Sequence, residues 1–98
     1  MMTDTNPPTT QRVFISGKVQ GVGFRDWVVR NGKALGLIGW VRNRTDGRVE
    51  ILIIGDSDAS AALIDKCREG PPLARVDHIE AHADGERPPK GFTKRFTA

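Results

Sequence analysis

The segment Gly17–Arg25 constrains the fold most, because it ends one secondary-structure element and begins another within a few residues. The residues before it, Arg12–Lys18, are rich in β-prone side chains and predict a first strand. The residues after it, Phe24–Leu35, carry apolar side chains at helical spacing and predict a first helix. The chain therefore passes from a strand to a helix through a turn that contains glycine.

This turn has the composition of an anion-binding site. The residues Gly17, Gly21 and Gly23 permit positive φ and let a ligand approach the backbone closely. Amides at the start of a helix attract anions, and Arg25 adds a guanidinium that matches two phosphate oxygens. An ordinary turn beside a solvated arginine explains the same residues, and both interpretations stay open here. The segment fits neither the dinucleotide-binding pattern G-x-G-x-x-G nor a Walker loop.

The middle of the chain predicts a β-hairpin, formed by Ile38–Arg44 and Arg48–Ile54 around the turn Thr45–Gly47. A three-residue turn with its glycine in the left-handed bulge position pairs Asn43 with Val49, and it separates polar from apolar faces. Asn43 then lies on the core-side face at a strand end, where its amide needs a partner or a ligand. A hydrogen bond to the backbone near the turn is the alternative.

The second half of the chain predicts another helix and two strands. The helix begins at an N-cap among residues 56–58, buries a stripe of small and apolar side chains and ends before Gly70. The predicted helix stripe is Ala59, Ala62, Leu63 and Cys67, the next strand is Arg75–Ala83 with Val76, Ile79 and Ala81 inside, and the last is Phe92–Phe96. The spacing of the first two inward residues of that fourth strand predicts a β-bulge between them.

The predicted order is βαββαβ plus a short terminal strand. Two crossover helices around a central hairpin indicate an α+β fold, a ferredoxin-like α/β sandwich whose antiparallel sheet carries both helices on one face. Right-handed crossovers bring the loop after the first strand beside the end of the second strand. On this topology Asn43 and the glycine-containing turn can meet.

Composition narrows the class of protein further. With 98 residues, 38% hydrophobic and 28% charged, the chain predicts one globular domain over residues 12–98 after a disordered polar tail over residues 1–11. The net charge of +3 favours anionic ligands but is too small to indicate nucleic acid by itself. The tail resembles neither a signal peptide nor a membrane anchor. The single cysteine, Cys67, suits a reducing cytoplasm, and no disulfide is expected.

No metal site or cofactor is expected. The two histidines, His78 and His82, are four residues apart in a predicted strand, where they lie about 13 Å apart, too far to bind one metal ion. Trp40 is expected to pack rather than to stack on a base, and no exposed aromatic pair is seen in the strands, so an RNA-binding domain is disfavoured.

The two central motifs, read with their spacing, closely resemble the acylphosphatase signature. The residues that carry the resemblance are Gly17-Lys18-Val19-Gln20-Gly21-Val22-Gly23-Phe24-Arg25, Ala34-Leu35-Gly36-Leu37, Gly39-Trp40-Val41-Arg42-Asn43 and Asp46-Gly47-Arg48-Val49-Glu50. A weaker match continues through Gly70-Pro71 and Ala74-Arg75-Val76 to Gly91-Phe92. The resemblance covers nearly everything from Arg12 onward.

The resemblance implies metal-independent hydrolysis of the carboxyl-phosphate bond of small acyl phosphates, with inorganic phosphate as a product. It places the catalytic pair on Arg25 and Asn43. The expected phosphate-binding residues are Gln20, Gly21, Val22, Gly23, Phe24 and Arg25. No cofactor, metal, nucleic acid or membrane is expected, and we expect a cytoplasmic monomer. The alternatives are a non-catalytic phosphate or anion-binding module and an acylphosphatase-like domain of a larger carbamoyl-transfer enzyme.

Two residues depart from the family pattern. Asp26 stands where the family usually carries an aromatic residue, and its carboxylate is expected to weaken anion binding modestly, because a helix turns it about 100° away from Arg25. Asp26 is also expected to pair with Arg30 one turn later. Gly32 stands where the family favours alanine, and we expect it to let the helix approach the sheet at a cost of about 1 kcal/mol in helix propensity.

Overall fold

The computed structural model describes residues 8–98, which form five strands and two helices. The elements are β1 (Thr9–Lys18), α1 (Phe24–Ala34), β2 (Ile38–Asn43), β3 (Val49–Gly55), α2 (Ser57–Cys67), β4 (Arg75–Ala83) and β5 (Phe92–Lys94). The predicted order of elements is confirmed. No helix within the described residues is long and apolar enough to cross a membrane.

The strands form one sheet in the spatial order β4-β1-β3-β2-β5. The first four strands pair antiparallel, as the ferredoxin-like fold requires. The last strand, β5, pairs parallel with β2, so the sheet is mixed and not wholly antiparallel as predicted. This pairing places the end of the chain beside β2.

The hairpin adopts the predicted register, in which Asn43 faces Val49 and Arg42 faces Glu50. The backbone amide of Arg44 donates to the carbonyl of Arg48 at 2.8 Å and closes a three-residue turn. Gly47 has a φ of 98° within that turn, a backbone conformation that residues other than glycine rarely adopt. The positive φ at this position therefore sets the register of both strands.

The register separates the two faces of the sheet. The odd-numbered residues of the central strands pack beneath both helices in the main core, which contains Val13, Ile15, Val41, Val49, Ile51 and Ile53 together with Phe24, Val28, Leu63 and Cys67. The helix-free face carries a smaller apolar cluster of Trp40, Leu52 and Ile54. Both helices thus lie on one face, as predicted, and Trp40 packs on the other face.

The predicted bulge in β4 is confirmed at Asp77. Ser16 of β1 faces His78, whereas the next residue, Gly17, faces Val76, so that Asp77 is left without a partner. Ala81 faces Val13 on the helix side of the sheet, but the prediction that it lies inside is wrong, because β4 is an edge strand and its second half is exposed.

Helix α2 begins where its capping residue predicts. The carboxylate of Asp56 accepts hydrogen bonds at 3.0 Å from the amides of Asp58 and Ala59. The buried residues are Ser60, Leu63 and Cys67, so the predicted stripe missed Ser60, while its members Ala59 and Ala62 are only half-buried. The hydroxyl of Ser60 has no hydrogen-bond partner among the described residues. The polar side chain of Ser60 therefore gave no indication in the sequence that this position is buried.

The first strand is longer than predicted. It begins at Thr9, and its first residues pair with the end of β3, so the prediction of disorder is wrong for Thr9–Gln11. The remainder of the predicted tail, residues 1–7, lies outside the described residues. These polar residues form a strand because their backbone pairs with the neighbouring strands β3 and β4, which local sequence does not reveal.

Gly32 lets α1 approach the sheet, as predicted. A Cβ atom at this position would lie 2.6 Å from two ring carbons of Phe92 on β5. The Phe92 ring is itself 2% exposed and has little room to move. Close contact between helix and sheet at this point therefore depends on the absence of a side chain.

Replacing this glycine tests the close approach. Gly32→Ala gains about 1 kcal/mol of helix propensity but forces an overpacking strain of about 1–3 kcal/mol, so we expect a net loss of stability in urea unfolding. In a Phe92→Leu background the same change should be neutral or stabilising, because the ring is gone. Additive effects of the two substitutions would contradict the proposed contact.

Candidate active site

The glycine-containing turn and the end of β2 enclose one small pocket of about 80 Å³. It is lined by Val19, Gly21, Gly23, Phe24, Arg25, Asp26, Asn43 and Lys94. The fold thus brings Arg25 and Asn43 into one pocket, although they lie far apart along the chain. The pocket has the size of a small polyatomic group, since water occupies about 30 Å³ per molecule in the liquid.

The positive end of α1 faces this pocket. Gly21 and Gly23 have φ values of 73° and 79°, and Gly23 is the N-cap of the helix. No side chain accepts a hydrogen bond at this cap. The first amides of the helix therefore keep their donors for another acceptor, and an anion is the group that the helix dipole favours.

Arg25 adds a full positive charge to the same pocket. Its side chain is half-buried in the first turn of α1. Within residues 8–98, its guanidinium forms no ion pair, whereas most other arginines do. A guanidinium that lacks a carboxylate partner and lines a concave site can bind a phosphate oxygen pair through two N–H groups.

Asn43 presents an unpaired amide at the end of β2. Its Oδ1 atom is buried and has no hydrogen-bond partner among the described residues. The alternative considered above, a hydrogen bond to the turn, is therefore not seen for this oxygen. Buried polar atoms are rarely left unpaired, so an external donor such as water fits this position.

Gln20 joins the glycine-containing turn to the hairpin. Its side-chain Nε2 donates to the carbonyl of Arg44 at 2.8 Å and to the carbonyl of Arg48 at 2.9 Å. The side chains of Gln20 and Val22 do not line the small pocket, and Val22 packs against the main core instead. Gln20 thus holds the turn against the strand that carries Asn43.

Lys94 and Asp26 form an ion pair at the rim of the pocket. The two side chains meet at 2.9 Å, and both line the pocket. The hydrogen bond and the charge of Lys94 lower the pKa of Asp26. The predicted partner of this carboxylate was Arg30, but Lys94 of β5 takes that place.

Two residues of the pocket, Lys94 and Val19, were not among the predicted site residues. Lys94 could not be predicted, because only the parallel pairing of β5 with β2 brings it to the pocket.

The helix-free side of the hairpin is tied together by a buried carboxylate. Glu50, which is 2% exposed, accepts hydrogen bonds from Arg12, Arg42 and Arg44. Burial alone would raise the pKa of Glu50, but the hydrogen bonds and charges of Arg42 and Arg12 outweigh that effect and hold the pKa below its ordinary value. This carboxylate therefore braces the strand end that carries Asn43.

A second, larger pocket of about 500 Å³ adjoins the first. It is lined by Arg25, Arg42, Lys94, Arg95 and Phe96. Two of these residues, Arg25 and Lys94, also line the small pocket. The two pockets are thus neighbours, with the side chains of Arg25 and Lys94 lining both.

The remaining reactive side chains lie elsewhere. His78 and His82 are exposed on β4, away from both pockets. Cys67 is buried in the main core, and burial raises the pKa of its thiol to about 12. No group of three or more potential ligands among residues 8–98 is arranged to hold a metal ion.

Comparison with known proteins agrees with this fold. The family model described as acylphosphatase matches residues 11–96. An acylphosphatase of Acidiphilium cryptum is 51% identical over 88 residues, which are 89% of this chain and 96% of that protein. An acylphosphatase of Rhodospirillum rubrum is 49% identical over 86 residues, 88% of this chain and 94% of the relative. The chain belongs to the acylphosphatase family.

Solved structures share the architecture. An acylphosphatase from Coxiella burnetii superposes with a TM-score of 0.87 at 36% identity, covering 96% of this chain and all of that one. Full-length HypF in its phosphate- and nucleotide-bound form contains a similar region, with a TM-score of 0.85 at 27% identity, which covers 93% of this chain but 12% of HypF. The fold therefore occurs both alone and within a larger protein.

The role of Gln20 in joining turn and hairpin can be tested by stability. Gln20→Met keeps the approximate size of the side chain but removes the donor to two carbonyls, and we expect a loss of about 1–3 kcal/mol. Backbone amides of the hairpin turn should also exchange faster with solvent. Gln11→Met on β1 is the matched control, since no side-chain hydrogen bond of Gln11 occurs among the described residues. Equal losses in the two variants would argue against the link.

Glu50 should make stability depend on pH in the acid range. Its pKa is lowered in the folded protein, so the unfolded chain takes up the proton first as pH falls below about 4.5, its ordinary value. The stabilisation is complete above that pH and is lost as pH falls towards the folded pKa. Glu50→Gln should therefore be less stable than the parent at pH 7, with the gap narrowing below pH ~4.5. A gap independent of pH would contradict a charged Glu50.

Proposed function

We propose that this protein hydrolyses acyl phosphates to a carboxylate and inorganic phosphate, with Arg25 and Asn43 as the catalytic residues. The observation that carries the proposal is their convergence. Arg25, whose guanidinium forms no ion pair among the described residues, and Asn43, whose amide oxygen has no partner there, line one pocket of about 80 Å³ at the positive end of α1. Membership of the acylphosphatase family supports the same reaction.

The phosphoryl group would be held by the turn. Backbone amides of the segment Gln20–Phe24 and the guanidinium of Arg25 bind its oxygens and offset the charge that develops during transfer. The side chains of Gln20 and Val22 are turned elsewhere, so these two residues act through their backbones. Held in this way, the phosphorus is exposed to attack from the side of Asn43.

Asn43 would orient the attacking water. Its Oδ1 atom accepts a hydrogen bond from that water and directs the oxygen towards phosphorus, in line with the leaving group. An acyl phosphate releases a carboxylate, which leaves without protonation, so the reaction needs no general acid. The water's proton passes to a phosphate oxygen of the substrate itself. The phosphorus–oxygen bond to the acyl group breaks as the new bond to water oxygen forms.

The reaction is proposed to need no metal or other cofactor. Arg25 and the helix amides supply the positive charge, so the pocket does not depend on a cation for electrostatic stabilisation. We further propose that the protein acts as a monomer in the cytoplasm on small substrates, without nucleic acid or membrane. The burial of Trp40, which is 1% exposed, supports the proposal that nucleic acid is not a ligand, because its ring is not accessible for stacking on a base.

Substitution of the catalytic pair tests the mechanism. Arg25→Ala and Asn43→Ala should each lower kcat for benzoyl phosphate by at least about 100-fold, because each removes a group that acts on the transition state. Arg30→Ala on α1 and Asn31→Ala are matched controls outside both pockets, and they should keep activity near that of the parent protein. Circular dichroism and urea unfolding should show that the Arg25 and Asn43 variants are folded.

The same assay separates the proposal from its alternatives. Turnover should survive treatment with EDTA. If EDTA abolished turnover and added metal restored it, a metal-free reaction would be contradicted. Full activity of Asn43→Ala would remove the water-orienting role. A parent protein that binds inorganic phosphate but releases none from benzoyl phosphate would be a non-catalytic anion-binding module.

A further inference from the structure

The larger pocket, which adjoins the proposed phosphate-binding pocket, is lined mainly by basic side chains. Four of its five residues, Arg25, Arg42, Lys94 and Arg95, are basic, and the fifth is Phe96. Its volume of about 500 Å³ lies in the range of small-molecule sites, about 300–1,000 Å³. One phosphoryl group in the small pocket leaves this space for the rest of the substrate.

The positive charge of this wall is only partly offset. Lys94 is paired with Asp26 at 2.9 Å. Arg42 shares the single carboxylate of Glu50 with two other arginines. The nearest carboxylate to Arg95 is Glu86 at 3.9 Å, and Glu86 makes shorter contacts elsewhere. Arg42 and Arg95 therefore keep hydrogen-bonding capacity for another anion.

Trp40 holds these two arginines in place. The guanidinium carbons of Arg42 and Arg95 each lie 4.7 Å from the centre of its indole ring. The Trp40 side chain is itself held by a hydrogen bond of 2.9 Å from Nε1 to Glu86. A guanidinium stacked on an aromatic ring keeps its N–H edge available for an anion. The two charges are thus positioned before any ligand arrives.

We propose that this pocket binds the acyl group of the substrate and selects acyl phosphates whose acyl group carries a second anionic group. Arg95 is the main specificity-determining residue, because of the two arginines that line only this pocket, Arg42 and Arg95, it has the longer contact with a carboxylate. Arg42 is its neighbour on the indole ring, and Phe96, which is 95% exposed, offers an apolar surface to the carbon skeleton between the two anions. The inference rests on the proposed hydrolysis, since it assigns the substrate class of that site.

A matched pair of substrates tests the selection. Benzoyl phosphate and 4-carboxybenzoyl phosphate share a ring and differ in one carboxylate, and kcat/KM is measured for both with spontaneous hydrolysis subtracted. We expect the parent protein to favour the carboxylated substrate about fivefold at low ionic strength, mainly through KM. The preference should shrink as salt is added, since these charges are partly exposed.

Variants of Arg95 assign the effect. Arg95→Gln should bring the ratio of the two kcat/KM values close to one, Arg95→Glu should reverse it, and Arg95→Lys should retain most of it. Lys66→Gln on α2 removes a charge that lines neither pocket, and its ratio should equal that of the parent protein. If Arg95→Lys keeps the preference for the carboxylated substrate, the preference depends on the charge of residue 95 and not on the packing of a guanidinium on Trp40.

The outcomes separate this inference from the proposed reaction. Turnover of benzoyl phosphate without preference for the carboxylated substrate would overturn the anionic-acyl inference and leave the hydrolysis intact. A parent preference that persists in Arg95→Glu would remove Arg95 from that role. Absence of turnover with both substrates would refute the proposed hydrolysis, and with it the substrate class assigned here.

Discussion

The register of the β2–β3 hairpin is the constraint on which the rest of the structure depends. Gly47, with its positive φ, closes a three-residue turn, and this turn pairs Asn43 with Val49. A shift of one residue would exchange the faces of the sheet. In the observed register Val41, Val49, Ile51 and Ile53 lie under the helices, while Glu50 and its arginines lie on the opposite side. Asn43 consequently ends on the helix side, next to the turn that leads into α1.

The two halves of the site are joined by long-range polar contacts. Gln20 bonds two carbonyls of the hairpin turn, and Lys94 of β5 pairs with Asp26 of α1. The second contact also explains how a carboxylate is accommodated beside an anion site, since the ammonium group offsets its charge. Arg25 keeps no such partner within the described residues and remains the strongest local attraction for a phosphoryl group. The site thus combines compensated charges at its rim with an uncompensated charge inside.

The limits of prediction follow from the same long-range contacts. Local patterns were sufficient for the helices, for an N-cap among residues 56–58 and for the bulge in β4, because these depend on residues close in sequence. They failed at Thr9–Gln11, which are polar but occupy a ladder with β3. They failed again at Ala81, which has the inward spacing but lies on an exposed edge strand. In both places neighbouring strands, and not local propensity, decide the outcome.

The sequence by itself determined the order of elements, the hairpin register and the family, because glycine positions and apolar periodicity act over a few residues. It also singled out Arg25 and Asn43 as candidates, one at a helix start and one on an apolar strand face. The tertiary structure alone decided that they share a pocket, that Lys94 closes its rim and that Arg95 extends it. The physical reason is that β5 pairs with β2 across a large sequence separation, and no local pattern specifies which strand it joins or in which direction.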